Sequence, residues 1–173
     1  MDIPIKEMET EEEIRGKAHV YWSAWHDTYP GLVSQEYLEK LTPEVCEKMA
    51  FDWSDGILIA KDRERVIGFV GYSDQSRDLP DCGEIFALYV LREERGKGIG
   101  CRLLESALER LNGHERVCLW VVKGNERAIR FYRKHGFQPD GAEKLAASVA
   151  AVGIRMIVTT SEKTKRGIQH GSS

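Results

Sequence analysis

Residues 84–111 run from an almost wholly apolar stretch, Glu-Ile-Phe-Ala-Leu-Tyr-Val-Leu, through a short charged turn and Gly-Lys-Gly-Ile-Gly into an amphipathic pattern. An apolar run without alternation suits a strand covered on both faces, so this segment predicts the centre of a sheet with helices on either side. In the following helix Leu103, Leu104, Ala107, Leu108 and Leu111 share one face and Glu105, Glu109 and Arg110 the other; Asn112-Gly113 ends it. Every other element of the fold must be compatible with this strand, glycine turn and helix start.

The remaining elements follow from local pattern. Residues 3–8 alternate as a short strand, and Thr10 with Glu13 makes a capping box for a helix whose apolar face is Ile14, Ala18, Trp22, Trp25 and Tyr29, stopped by Pro30-Gly31. A second helical region comes in two parts, with Ser34 and then Thr42-Pro43 as helix starts. Residues 57–60 and 66–70 are branched apolar runs separated by a charged turn, a hairpin. Residues 117–122 predict another buried strand, and Asn125 caps a helix with Ala128, Phe131, Tyr132 and His135 on one side and Gly136 at its end, where Phe137 can fold back on Tyr132. Residues 154–158 resemble a last strand, while 145–151 are small and apolar without periodicity. The length of 173 residues suits one domain, drawn at 1–160, with a polar, flexible tail at 161–173.

Charge narrows the function. A formal net charge of -3 argues against the broad basic face of a nucleic-acid binder, so no nucleic acid is expected as partner. There is no apolar run of membrane-spanning length and the acidic start is unlike a secretory signal, so a cytoplasmic protein without membrane contact is expected. Cys46, Cys82, Cys101 and Cys118 form no CxxC pair and have no His at metal-ligand spacing; His19, His26, His114 and His135 likewise show none, and no metal is expected. The cysteines read as reduced core thiols.

Against this mildly acidic background, Arg92, Arg95, Lys97 and Arg102 gather around Gly96, Gly98 and Gly100. Glycines let the main chain approach a ligand, N–H groups at a helix start converge, and the helix dipole attracts an anion: the segment reads as a phosphate site. A nucleotide P-loop needs Lys and then Ser or Thr after its last glycine, and here Cys101 and Arg102 follow. A dinucleotide loop has GxGxxG and a ribose-binding acid after the next strand; this one is GxGxG, and that strand ends at Val122-Lys123.

Arg95, Gly98 and Gly100 satisfy a motif of Arg or Gln, two residues, Gly, one residue, then Gly or Ala, and Asn125, Ala128, Phe131-Tyr132, Lys134 and Gly136-Phe137 follow one strand later. In this the chain resembles the GNAT superfamily of N-acetyltransferases over residues 3 to about 158. The resemblance implies a mixed α/β fold: a central, mostly antiparallel sheet of six or seven strands, splayed in the middle and flanked by about four helices. It departs at residues 142–153, which are longer and richer in alanine than a hairpin turn requires.

The resemblance also implies acetyl-CoA as co-substrate. Main-chain amides of Arg95, Gly96, Lys97, Gly98, Ile99 and Gly100 would hold the pyrophosphate, Leu88 and Val90 would pair with the pantetheine arm, and an N–H near Leu88 would meet the developing oxyanion. Asn125 completes the cofactor side as well as capping its helix. Tyr132 is the candidate general acid and Glu84, at the start of the central strand, the candidate base. A helix-end contact with Phe137 is the bland reading of Tyr132, and a solvated strand-end acid that of Glu84. Trp25 and Tyr29 are expected to line the acceptor site, although aromatics at helical spacing are also ordinary core. The partner is an amine, small or on a peptide; a homodimer stays open. The rival reading is a non-catalytic acyl-CoA sensor or interaction module.

Overall fold

The computed structural model describes residues 3–159; the expected tail at 161–173 lies outside the described residues. In chain order the elements are β1 (Ile5–Glu7), α1 (Glu11–Thr28), α2 (Gln35–Lys40), α3 (Pro43–Asp52), β2 (Ile57–Asp62), β3 (Arg65–Ser73), β4 (Cys82–Val90), α4 (Ile99–Arg110), β5 (Arg116–Val122), α5 (Glu126–Lys134), β6 (Gln138–Ala146) and β7 (Ala151–Thr159). The helix starts are those the sequence marks. Thr10 and Glu13 close a reciprocal capping box on α1, Ser34 accepts from Tyr37 N–H, Thr42 from Val45 N–H, and Asn125 from Ala128 N–H. Among the described residues there are five helices, with α2 and α3 standing as separate helices.

The seven strands form one sheet in the order β1-β2-β3-β4-β5-β7-β6, antiparallel everywhere except between β4 and β5. Successive strand residues face opposite sides, and on β3 the open side of Gly68 meets Leu103 of α4 while Phe69 lies under the ammonium of Lys17 on α1. The two helices therefore cover opposite faces of the sheet. Leu103, Leu104 and Ala107 of α4 are fully buried; at about 1.5–3 kcal/mol for each large side chain, that stripe fixes the helix rigidly behind its glycine turn. No helix among the described residues is long and apolar enough to cross a membrane.

The carboxyl end shows what the extra length of residues 142–153 holds. Residues 142–153 are no extended turn: β6 runs to Ala146, a 3-10 turn spans Ala147–Val149, Ala150 takes the left-handed conformation, and β7 begins at Ala151. Strand β6 shows no periodicity because it is an edge strand, exposed along nearly its whole length, with its register shifted between Pro139 and Glu143.

The feature that positions the site is where β4 and β5 part. They pair only from Cys82 opposite Arg116 to Ile85 opposite Leu119. Beyond that, β4 continues five residues and β5 three without meeting, each held from behind by β3 and β7.

Candidate functional site

Main-chain groups facing this gap can be assigned from the register. Leu91 N–H donates to Ile67, which makes Leu91 and Ile67 a hydrogen-bonded pair in the antiparallel ladder of β3 and β4. Such pairs alternate, so Tyr89 with Phe69 bonds across the ladder, whereas Leu88 and Val90 turn their N–H and C=O groups away from β3, toward the gap. On β5, Lys123 N–H donates to Val152, and the same alternation turns Trp120 and Val122 to the gap. Two strands thus present unpaired donors and acceptors to each other across a space too wide to bridge. The space belongs to a cleft of about 400 Å³ lined by both strands, the glycine turn and α5.

The glycine turn closes one end. Gly96 and Gly98 both have φ +81°, the left-handed region that favours glycine, and a Cβ at either would meet nothing within 4 Å. Backbone conformation, not space, requires glycine there. Gly98 is the N-cap of α4 and offers no side chain, so the first-turn N–H groups of that helix keep their donors for a ligand.

Basic groups ring the same end. Arg95 bonds Asp27 at 2.9 Å and Thr28 at 3.3 Å, and Arg92 reaches Asp27 at 3.1 Å, so one carboxylate at the end of α1 holds two guanidinium groups. Arg127 also lines the cleft, and among the described residues no carboxylate lies within ion-pair distance of it. Partial burial, and then the neighbouring Arg95, outweigh the attraction of Asp27 and lower its pKa from the usual arginine value.

At the other end three phenols converge. Tyr29 and Tyr89 have their hydroxyls 3.5 Å apart, and Tyr132 lies beside Tyr29. Burial raises the pKa of all three, most for Tyr89 and Tyr132, so each stays a neutral O–H through the physiological range. Tyr132 is buried, packs edge-on against Phe137 at 5.8 Å between ring centres, and still lines the cleft; its packing and its access to the cleft coexist.

Of the residues singled out by sequence, Leu88, Val90, Arg95, Gly96, Gly98, Ile99, Gly100, Asn125, Tyr29 and Tyr132 all line this one cleft. Three do not. Trp25 is packed among Tyr21, Tyr29 and Tyr37, because its position on α1 faces the neighbouring helices and the core beneath them. The Lys97 ammonium turns outward to Glu94 at 2.9 Å. Glu84 is 2 % exposed, its carboxylate held by Arg77 at 3.0 Å and Ser76 at 3.3 Å, because it lies where β4 and β5 are still paired. Sequence reasoning missed Tyr89, hidden inside an apolar strand; Trp120, whose indole N–H donates to Asp78 at 2.8 Å; and Arg127, whose place two residues past the cap Asn125 was the available signal. It also missed that Cys101, Glu105 and His135 meet.

Comparison with known proteins agrees with this geometry. A model described as "Acetyltransferase (GNAT) family" matches residues 18–137. An uncharacterized N-acetyltransferase of Archaeoglobus fulgidus is 36% identical over 116 residues, 61% of this chain and 76% of the relative. Among solved structures, a protein of Pyrococcus horikoshii OT3 superposes with a TM-score of 0.74 at 24% identity, covering 91% of this chain and 98% of the other. The PaiA N-acetyltransferase of Thermoplasma acidophilum, solved with coenzyme A, gives 0.70 at 24% identity, covering 92% and 99%. The overall fold is shared with these structures, and since the family model covers residues 18–137, with the glycine turn and both halves of the split inside it, this chain belongs to the GNAT family of acetyltransferases.

Proposed function

We propose that the protein transfers the acetyl group of acetyl-CoA to a primary amine, directly and in one ternary complex. The observation that carries this reading is the gap between β4 and β5, with Leu88, Val90 and Trp120 turning main-chain groups into it and the donors of the α4 start at its end. A diphosphate at residues 96–100, countered by Arg95 and Arg127, leaves the pantetheine arm to run along the gap as an added strand would. Asn125 supports this side through the cap that holds the α5 start beside the cleft.

The thioester then lies near Leu88. The neutral amine attacks its carbonyl carbon, the Leu88 N–H receives the oxyanion, and collapse expels the CoA thiolate, which Tyr132 protonates; the amine's proton leaves to water, Tyr132 regains a proton from solvent, and the products are an amide and free CoA. A phenol above its ordinary pKa of about 10 gives its proton uphill to a thiolate whose acid is near 8.5, at about 1.4 kcal/mol per unit, so transfer is concerted with departure of the sulfur. Glu84 serves as base only through a bridging water and with the Arg77 pair opened. Tyr29 and Trp120 flank the acceptor amine.

The test incubates protein and acetyl-CoA with pooled amines and peptides, following free thiol and product mass. Amine-dependent thiol release with a product heavier by one acetyl group supports the reading. CoA binding without acetylated product over a broad panel favours the sensor instead.

A further inference from the structure

Away from the reaction path, α4 and α5 meet through three side chains that the sequence keeps far apart. Cys101 and Glu105 lie one turn apart on the same face of α4. His135 caps the end of α5. Cys101 Sγ is 3.1 Å from His135 Nε2 and 3.3 Å from a Glu105 carboxylate oxygen, and all three ligand atoms fall within 4.8 Å of one another.

We propose that Cys101, Glu105 and His135 bind a thiophilic divalent transition cation, with zinc as the type ion, tying the first turn of α4 to the end of α5. A tetrahedral zinc with its usual bonds to sulfur, nitrogen and oxygen has ligand-to-ligand edges of about 3.3–3.6 Å, so the two edges to sulfur open by a few tenths of an ångström and the nitrogen-to-oxygen edge, within 4.8 Å, closes toward the same length. The histidine is set for the task. Its Nδ1 lies 2.9 Å from the Phe131 carbonyl, which can only accept; Nδ1 therefore carries the proton, and the lone pair of Nε2 points at the thiol. A carbonyl-anchored imidazole is the usual second layer behind a metal-bound histidine. One sulfur, one imidazole and one carboxylate favour zinc and its neighbours over magnesium or calcium. Binding converts the Cys101 thiol to thiolate and releases one proton, and three protein ligands leave a fourth position for water or an anion. Cys101 itself lines the cleft, so that position lies close to the proposed phosphate end.

The test titrates the reduced full chain with cobalt(II) and then zinc(II), without acetyl-CoA or amine, so the result does not depend on the proposed activity. Expected are one cation per chain, a thiolate-to-cobalt charge-transfer band in the near ultraviolet, its loss on adding zinc, and release of one proton. Cys101→Ser should abolish the band although Cys46, Cys82 and Cys118 remain; His135→Gln and Glu105→Gln, each checked for folding by circular dichroism, should weaken cobalt binding about tenfold or more. Absence of the band under excess cobalt, or its survival in Cys101→Ser, would overturn the proposal and leave a hydrogen-bonded contact between helices. Should Cys101→Ser fail to fold, unchanged cobalt affinity in both other variants overturns it equally.

Discussion

The hydroxyl of Tyr29, at the end of α1, stands 3.5 Å from that of Tyr89, on the free half of β4. This contact ties the first helix to the edge of the gap and places a phenol from each beside Tyr132. If Tyr29 flanks the acceptor amine as proposed, Tyr29→Phe is expected to raise KM for the amine about tenfold, the worth of one polar contact, while CoA affinity stays within about twofold. Steady-state kinetics with isothermal calorimetry separates the two.

Tyr132→Phe should retain CoA binding and lower turnover by about tenfold or more. Since burial, and next Tyr29, raises the phenol's pKa, no loss of activity from its ionisation should appear below about pH 10. A variant with wild-type turnover reduces Tyr132 to a helix-end packing residue.

Gly98→Ala forces a side chain into the left-handed region at φ +81°, a strain of about 1–2 kcal/mol. It should weaken CoA binding roughly tenfold or lower the thermal midpoint. Gly100→Ala is the contrast, for its Cβ would sit at an ordinary 3.6 Å from Phe131, and stability should hold. Calorimetry and thermal melts on both variants check this.

Arg127→Gln removes the cleft cation with no ion pair among the described residues. CoA affinity should fall about tenfold at low ionic strength, as for a hydrogen bond to a charged group, and the difference should shrink as salt screens the remaining attraction. Titrations at two salt concentrations give the comparison.

Glu13 links α1 to Lys6 and Lys61 from a buried position. Burial pushes its pKa up, but hydrogen bonds from Lys6, the Glu9 and Thr10 amides and Lys61 outweigh that and hold it at about 2 against the ordinary 4.5. A lowered carboxylate stabilises the fold above its unfolded value and loses that contribution as pH falls through the folded one. About 3 kcal/mol should therefore disappear between pH 4.5 and 2, and Glu13→Gln should flatten this part of the profile in urea melts.

How far the molecule was legible varies by element for physical reasons. Caps are local: Thr10, Ser34, Thr42 and Asn125 bond amides three residues away, so spacing alone locates α1, α2, α3 and α5. Strand β6 was not legible, since an edge strand exposed on both sides has no buried face to impose alternation. The glycine turn at one end of the cleft could be read from Gly96, Gly98 and Gly100 for the same local reason as the caps.

The rest of the cleft is different. Whether a residue of α1 or β4 reaches the cleft depends on where elements distant in sequence cross. Trp25 and Tyr29 are four residues apart on one helix, yet one is packed among aromatics and the other lines the site. Glu84 and Leu88 share a strand, yet only the second lies past the point where β5 departs.

By itself, then, the sequence determined the helix starts, the central strand and the glycine turn that opens α4, because each follows from contacts within a few residues. Tertiary structure alone decided the parting of β4 and β5 at Ile85, the meeting of Tyr29, Tyr89 and Tyr132, and the approach of Cys101 and Glu105 to His135, because side chains so far apart along the chain come together only when the core packs.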